Sequence, residues 1–222
     1  MNRDILRTKG WLSLQPRAIQ DAVLANGREQ VFDIGTSVFS VGDPPGGCFA
    51  LLRGQLAVSI APNMRGPNLV HVARPGTWYG EGAFVTRCPR RVGLHPVVES
   101  TLFHLPLTAM DRLSAEDAEW TRRFAQLLMM NLNTALHALD DLLIEDPSRR
   151  IAAVLVRCLG EEESGSLSIS QAELGRLSNT SRKVVNRVLG SFADRGWLRQ
   201  GYAKIEVTEV RALRDLAEST IA

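Results

Sequence analysis

The stretch SISQAELGRLSNTSRKVVNRVL, Ser168 to Leu189, decides how the C-terminal part of this chain folds. Ser170-Gln171-Ala172-Glu173 has the Ser-x-x-Glu form of a capping box, so a helix is expected to start there, with Leu174 and Leu177 turned inward. Ser178-Asn179-Thr180 then reads as a tight turn, because asparagine tolerates the left-handed conformation such a turn requires. A second helix is expected from Ser181, with Val184 or Val185, Val188 and Leu189 as its buried face. Two short helices joined this way form a helix-turn-helix. On the other face of the second helix stand Arg182, Lys183, Asn186 and Arg187, which can donate to phosphates and to the guanine O6/N7 edge, the asparagine being suited to adenine. Downstream, Asp194 to Leu198 leads into an expected hairpin over Arg199 to Val207 that turns near Gly201. From Arg176 to Lys204 there are seven basic residues and one acidic residue, Asp194. Most charged runs merely solvate a helix face, but here cap, turn, basic face and hairpin follow in the order a reader of double-stranded DNA needs, with Ser181 and Arg176 completing the candidate contacts.

Upstream, Asp146-Pro147-Ser148 breaks a long helical pattern, since proline disfavours helical geometry in the residue before it and can itself open a new helix. This marks a hinge, followed by an apolar helix over Ile151 to Leu159 and a polar loop from Gly160 to Gly165. The helix before the hinge is expected to run from about Ser114 to Glu145, with acidic residues early, as a helix N-terminus prefers. Within it Leu128, Leu132, Ala135, Leu139 and Leu142 repeat as a heptad seam, and Ala125 extends it one step upstream. Such a stripe can pack on its own domain, but its length favours a second copy of the helix, hence a homodimer. From Val31 to Leu105 the pattern changes to short apolar runs broken by glycine and proline: 38–41, 49–52, 56–60, 70–72 and 97–98. Strands so spaced argue for an antiparallel barrel or sandwich, here a β-roll, with a short helix from Gln15-Pro16-Arg17 to about Ala25 ahead of it.

The chain of 222 residues is 45% hydrophobic and 23% charged, enough for a real core, which excludes disorder and a purely coiled-coil architecture. Its net charge of +2 hides a division: residues 1–107 hold 11 basic and 7 acidic side chains, 108–146 hold 3 and 8, and 147–222 hold 12 and 9. No apolar run approaches the roughly 20 residues of a membrane span, and Met1 to Gly10 is polar with no signal-peptide core, so neither membrane insertion nor export is expected. Cys48, Cys88 and Cys158 are too few and too scattered for a disulfide framework or a metal cage, which suits a reducing cytoplasm and no metal.

This order of parts resembles the Crp/Fnr regulators, the family of the cyclic-AMP receptor protein. Gly42, Gly54, Gly76 and Gly80-Glu81 are similar to the family's turn glycines and the start of its phosphate-binding cassette. Ser181 to Leu189 resembles its recognition helix, and Asp146 to Ala152 its hinge. The resemblance implies an α+β chain with a cyclic-nucleotide-binding-like antiparallel β-roll (a jelly roll) over residues 1–107, a dimerisation helix over 108–146 and a winged helix-turn-helix over 147–222. It implies a homodimer on two inverted half-sites about one helical turn apart, with Arg182 and Arg187 on bases or phosphates. RNA polymerase is a further candidate partner. Lys183 departs from the family, which often has an acceptor there for cytosine N4; a lysine donor favours guanine on that strand instead.

For a ligand, the resemblance places Gly80, Glu81 and either Arg90 or Arg91 around a cyclic nucleotide, Glu81 accepting the ribose hydroxyl and the arginine holding phosphate. The residue after that arginine would be Arg91 or Val92, neither of which offers the small hydroxyl of nucleotide-binding members. Ala135 and Leu136 fall where the cyclic-AMP receptor protein has hydroxyl residues for adenine. A cyclic nucleotide is therefore disfavoured and no cofactor is assigned, although another small effector remains a candidate gate; in its absence Glu81 and an arginine would form an internal ion pair. Iron–sulfur sensing of the Fnr type typically needs four cysteines. Cys88-Pro89 with His71, His95 or His104 is weak evidence for haem, and Cys88 in a loop carries no sequence signal that marks it as a redox thiol. No catalytic motif is present, so an enzyme is not expected. The rival reading is a cyclic-nucleotide-binding or dimerisation module with no DNA-binding role.

Overall fold

A computed structural model describes residues 3–61 and 66–219. The polar opening of the chain carries more of the core than its composition suggests. Leu6 on α1 (Asp4–Thr8) and Trp11 and Leu12 on α2 (Gly10–Ser13) are buried, on helices too short to show a period in sequence. α3 (Arg17–Ala25) follows Pro16 as expected and turns Val23 and Leu24 inward.

Antiparallel strands come next. β1 (Arg28–Phe32), β7 (Ser100–Leu105), β2 (Cys48–Arg53) and β5 (Trp78–Tyr79) form one sheet in that order, and β3 (Leu56–Ile60) pairs with β6 (Val92–Pro96) in register from Leu56–Pro96 to Ile60–Val92. Two expected strands are absent. Residues 38–41 make one isolated bridge, Phe39 to Leu94, and Val97-Val98 is the bend between β6 and β7. Their apolar side chains suit a strand, but Pro96, which lacks an N–H, stands at the end of its ladder, and Pro44-Pro45 follow the first run.

The long helix also differs from expectation. α5 (Leu107–Glu116) ends at Asp117, whose backbone is extended and whose carboxylate accepts the Glu119 N–H at 2.8 Å, and α6 (Glu119–Leu143) begins there. Ser114 to Glu116 therefore close one helix instead of opening the next. One face of α6 carries Trp120, Phe124 and Leu127 into a core shared with Trp11, Trp78 and Phe103. Trp11 stands edge-on to Trp78 at 5.3 Å, and its indole N–H donates to the Arg123 carbonyl at 2.9 Å.

The residues group into two compact units, one running to Pro67 and resuming over Ala73–Thr134, the other comprising Asn68–Val72 and Ala135 onward. In the second, Asp146 caps α7 (Pro147–Leu159) by accepting the Arg149 N–H at 2.8 Å, with Pro147 opening the helix in its first turn as the sequence predicts. α8 (Gln171–Leu177) and α9 (Arg182–Asp194) follow, then α10 (Val210–Glu218) closes the unit. A three-stranded sheet, β8 (Gly165–Leu167), β10 (Lys204–Val207) and β9 (Leu198–Gly201) in that order, flanks them; β8 extends the expected hairpin by a strand. Ile151, Leu155, Leu174, Val185, Leu189, Phe192 and Ile205 fill the core, at roughly 1.5–3 kcal/mol for each large apolar side chain buried. Val72 of β4 (Asn68–Ala73) is fully buried in this same core, far from its neighbours in sequence.

Candidate nucleic-acid interface

Local chemistry holds the helix-turn-helix in place before any ligand is considered. The Ser170 hydroxyl accepts the Glu173 N–H at 3.2 Å while the Glu173 carboxylate accepts the Ser170 N–H at 2.7 Å, so the capping box is complete. Asn179 takes the left-handed conformation, φ 46°, that the turn demands. Gly175 allows the two helices to meet: a Cβ there would stand 2.8 Å from the Thr180 carbonyl oxygen. Ser181 caps α9 by accepting the Val184 N–H at 3.3 Å, so of the expected contact residues it already has a structural task.

Burial fixes which way α9 faces. Val185, Val188, Leu189 and Phe192 are buried, which settles the choice between Val184 and Val185 for the inner row. Arg182, Lys183, Asn186 and Arg187 are all exposed on the opposite side and line one surface hollow. Among the described residues none of these four side chains makes a hydrogen bond or ion pair, whereas Arg149, Arg150 and Arg157 of α7 are all bonded within the protein. Three basic side chains and an amide are thus presented with their donors unspent, a surface suited to phosphate oxygens and to the acceptor-rich edges of purines. Arg176 is exposed on α8.

The hairpin turns through Tyr202-Ala203, just beyond the expected Gly201. Tyr202 is fully exposed at its tip and Ala203 is left-handed, φ 47°. Tyr202 is not among the contacts predicted from sequence, although an aromatic residue in a turn is a visible signal. Gln171 on α8 donates to the Gln200 side chain at 3.0 Å and ties this wing to the first helix of the motif.

In the other unit, Gly80, Glu81 and Arg90 come together. Gly80 is left-handed, φ 116°, and a Cβ there would meet the Gly47 carbonyl oxygen at 2.4 Å and Arg90 at 2.5 Å. Arg90 is buried, with Nη1 donating to the Gly80 carbonyl at 3.2 Å and Nη2 to that of Gly47 at 2.9 Å, and its guanidinium lies 4.1 Å from the Phe39 ring centre. Arg91 is exposed, and Val92 lies on β6 opposite Ile60, so neither joins the group and the choice between the two arginines falls on Arg90. Glu81, on α4 (Glu81–Thr86), accepts from Asn131 of α6 at 2.9 Å, a contact not anticipated from sequence. Burial pushes the Glu81 carboxyl upward, with the Asn131 bond pulling the other way. The expected ion pair between Glu81 and an arginine is not formed among the described residues. Instead Glu81 Oε2 and Arg90 Nε are both buried without a protein partner, an acceptor and a donor left unspent in one polar group.

The seam residues on α6 are open. Leu132, Leu139 and Leu142 are 45%, 56% and 41% exposed, Ala135 is exposed, and Leu128 is half-buried. Met129 and Leu136 broaden the same apolar stripe. The residues weighed for other chemistry are engaged elsewhere: His104 stacks on Phe49 at 4.2 Å and contacts the Gly46 carbonyl, His71 is buried, and Cys88 donates weakly to the Thr86 carbonyl.

Known proteins carry the same two parts. Residues 149–216 match the Crp-like helix-turn-helix domain family, and residues 29–117 match the cyclic nucleotide-binding domain family. The chain is 27% identical over 208 residues to the CRP-like cAMP-activated global transcriptional regulator of Mycobacterium tuberculosis, covering 90% of this chain and 92% of that protein. It is 26% identical over 184 residues to the transcriptional regulator SdrP of Thermus thermophilus, covering 77% and 84%. Among solved structures, FixK2 from Bradyrhizobium japonicum superposes with a TM-score of 0.73 at 14% identity, covering 88% of this chain and 99% of that one, a likeness of fold.

Proposed function

The chain is a transcriptional regulator of the Crp/Fnr family, and from that premise we propose that two copies bind an inverted-repeat operator in duplex DNA, each reading one half-site with α9. The observation that carries this is the row Arg182, Lys183, Asn186 and Arg187, exposed and unpartnered on a helix whose other face is locked in the core. No carboxylate stands among these four, so cytosine N4 lacks an anionic acceptor and guanine is favoured where Lys183 reaches. Ser181 and Arg176 serve at the edge of the contact.

The seam Leu128, Leu132, Ala135, Leu139 and Leu142, exposed at every position but the half-buried Leu128, supports dimerisation through α6, since water is a poor partner for so regular an apolar row. Residues 1–107 then act as effector domain, 108–146 as dimer helix and 147–222 as DNA-binding domain. The protein is a regulator and not an enzyme, and RNA polymerase is its proposed second partner, in the cytoplasm. Among the described residues no helix is long and apolar enough to cross a membrane.

Gly80, Glu81 and Arg90 have the donor and acceptor types a cyclic nucleotide uses, but the fit stops there. Two of the guanidinium nitrogens are already given to carbonyls, and the next residue, Arg91, faces solvent without a hydroxyl to offer. A small effector other than a cyclic nucleotide suits the spare Glu81 and Arg90 atoms better.

Selection of random duplex DNA by the purified protein, followed by sequencing, tests the main reading. Enrichment of an inverted repeat with half-sites about one helical turn apart is expected. No enrichment, even after adding cyclic nucleotides or cell extract, would overturn it in favour of a dimerisation module without a DNA role.

A further inference from the structure

A polar cluster with no part in the contacts above is buried in the second unit. Arg157 of α7 donates from Nε to Asp141 of α6 at 2.6 Å and from Nη1 to the Val70 carbonyl of β4 at 3.3 Å. The same Nη1 lies 3.0 Å from Nδ1 of His71, and Cys158 Sγ lies 3.8 Å from that nitrogen. The Arg157 and Asp141 side chains are only 7% and 11% exposed. Since a guanidinium offers only donors, Nδ1 must carry a lone pair, which makes His71 neutral and protonated on Nε2.

This is an inefficient way to gain stability. Taking two ions out of water costs several kcal/mol for each, and a well-packed apolar pair of similar volume often does as well or better. What a guanidinium adds is direction, because its planar fork fixes angles as well as distances. Here one guanidinium joins three elements: the last turns of α6, β4 and α7. The chain of contacts continues to α9, because Ile151 and Leu155 of α7 share a core with Val185, Leu189 and Phe192. A tilt of α7 is thus passed to the recognition helix, and an operator of two half-sites at fixed spacing is sensitive to that tilt.

We propose that Arg157 is a positioning residue for DNA binding: by bridging Asp141, His71 and the Val70 carbonyl it sets the direction of α7, and with it α9, against the C-terminal end of α6. The proposal rests on the DNA-binding reading. Its test compares the full-length protein on two duplexes, the inverted repeat enriched by selection and a duplex holding one half-site. In the double variant D141L/R157M apolar groups replace the ion pair. Thermal midpoint and half-site affinity should stay at or above wild type, while inverted-repeat affinity falls about tenfold, within the range that coupled networks span. R157K keeps the charge but not the fork, and should lose part of the preference for the full site. A folded double variant with the wild-type ratio of full-site to half-site affinity overturns the proposal. If the double variant does not fold, R157K decides: a lowered ratio at an unchanged midpoint supports it, and a wild-type ratio overturns it. Failure of the wild type to enrich an inverted repeat removes the DNA-binding reading, and this proposal with it, before any variant is made.

Discussion

Arg187 and Arg176 carry the same charge, yet they stand differently toward DNA: one on the exposed face of α9 among other unspent donors, the other on α8 at the edge. Arg187→Ala should therefore cost about 1–3 kcal/mol of operator affinity and relax base preference at one position. Arg176→Ala should weaken operator and scrambled duplex alike. Gel-shift titrations at fixed salt separate the two, and unchanged operator affinity would remove Arg187 from the site. His71 makes a prediction about pH. Burial, helped by the Arg157 cation, lowers its pKa to about 3, against about 6.5 in an exposed histidine. The unfolded chain then binds more protons than the folded one between those values, so this contribution is complete above pH 6.5 and is lost as pH falls through the window. At pH 5 the loss is roughly 2 kcal/mol. Thermal melts at pH 7.5 and pH 5 should show a smaller drop for His71→Gln than for wild type; an equal drop would clear His71 of the effect.

At the scale of the element, α6 is the exposed test of the dimer. Leu132→Glu places a charge in the middle of the seam, and burying it there costs several kcal/mol, so the wild type is expected to sediment as a dimer and the variant as a monomer. A stable variant dimer would move the interface elsewhere. Elements were legible in sequence where a local rule has one solution. The capping box at Ser170, the left-handed Asn179 and the proline after Asp146 each specify a helix end, and each stands where expected. They were not legible where a rule has two. Acidic residues around Glu116 suit the start of a helix, but α6 starts after Asp117, at Glu119, five residues beyond Ser114. Apolar pairs such as Val97-Val98 suit strands and corners equally. α1, α2 and β8 span too few residues for any period to show. In the sites, side chains that act through local exposure were readable, whereas Asn131 with Glu81 and Arg157 with His71 meet across 50 and 86 residues of chain. No spacing rule reaches that far.

For the whole molecule, the effector question has a direct measurement. Calorimetric titration with cyclic AMP and cyclic GMP should give no binding in the micromolar range and leave DNA affinity unchanged; micromolar binding with a change in DNA affinity would overturn the reading of the pocket. One feature of the fold also bears on how the protein is made. Val72 emerges from the ribosome early, but the core that covers it is completed by Leu213, after about 140 further residues have been synthesised. At roughly 5–20 residues per second that is a wait of about 7–28 s, during which the Val72 side chain lacks its native core. Nascent chains of this regulator are therefore most open to chaperone capture or aggregation during the last two-thirds of their translation, and slowing elongation there should lower soluble yield.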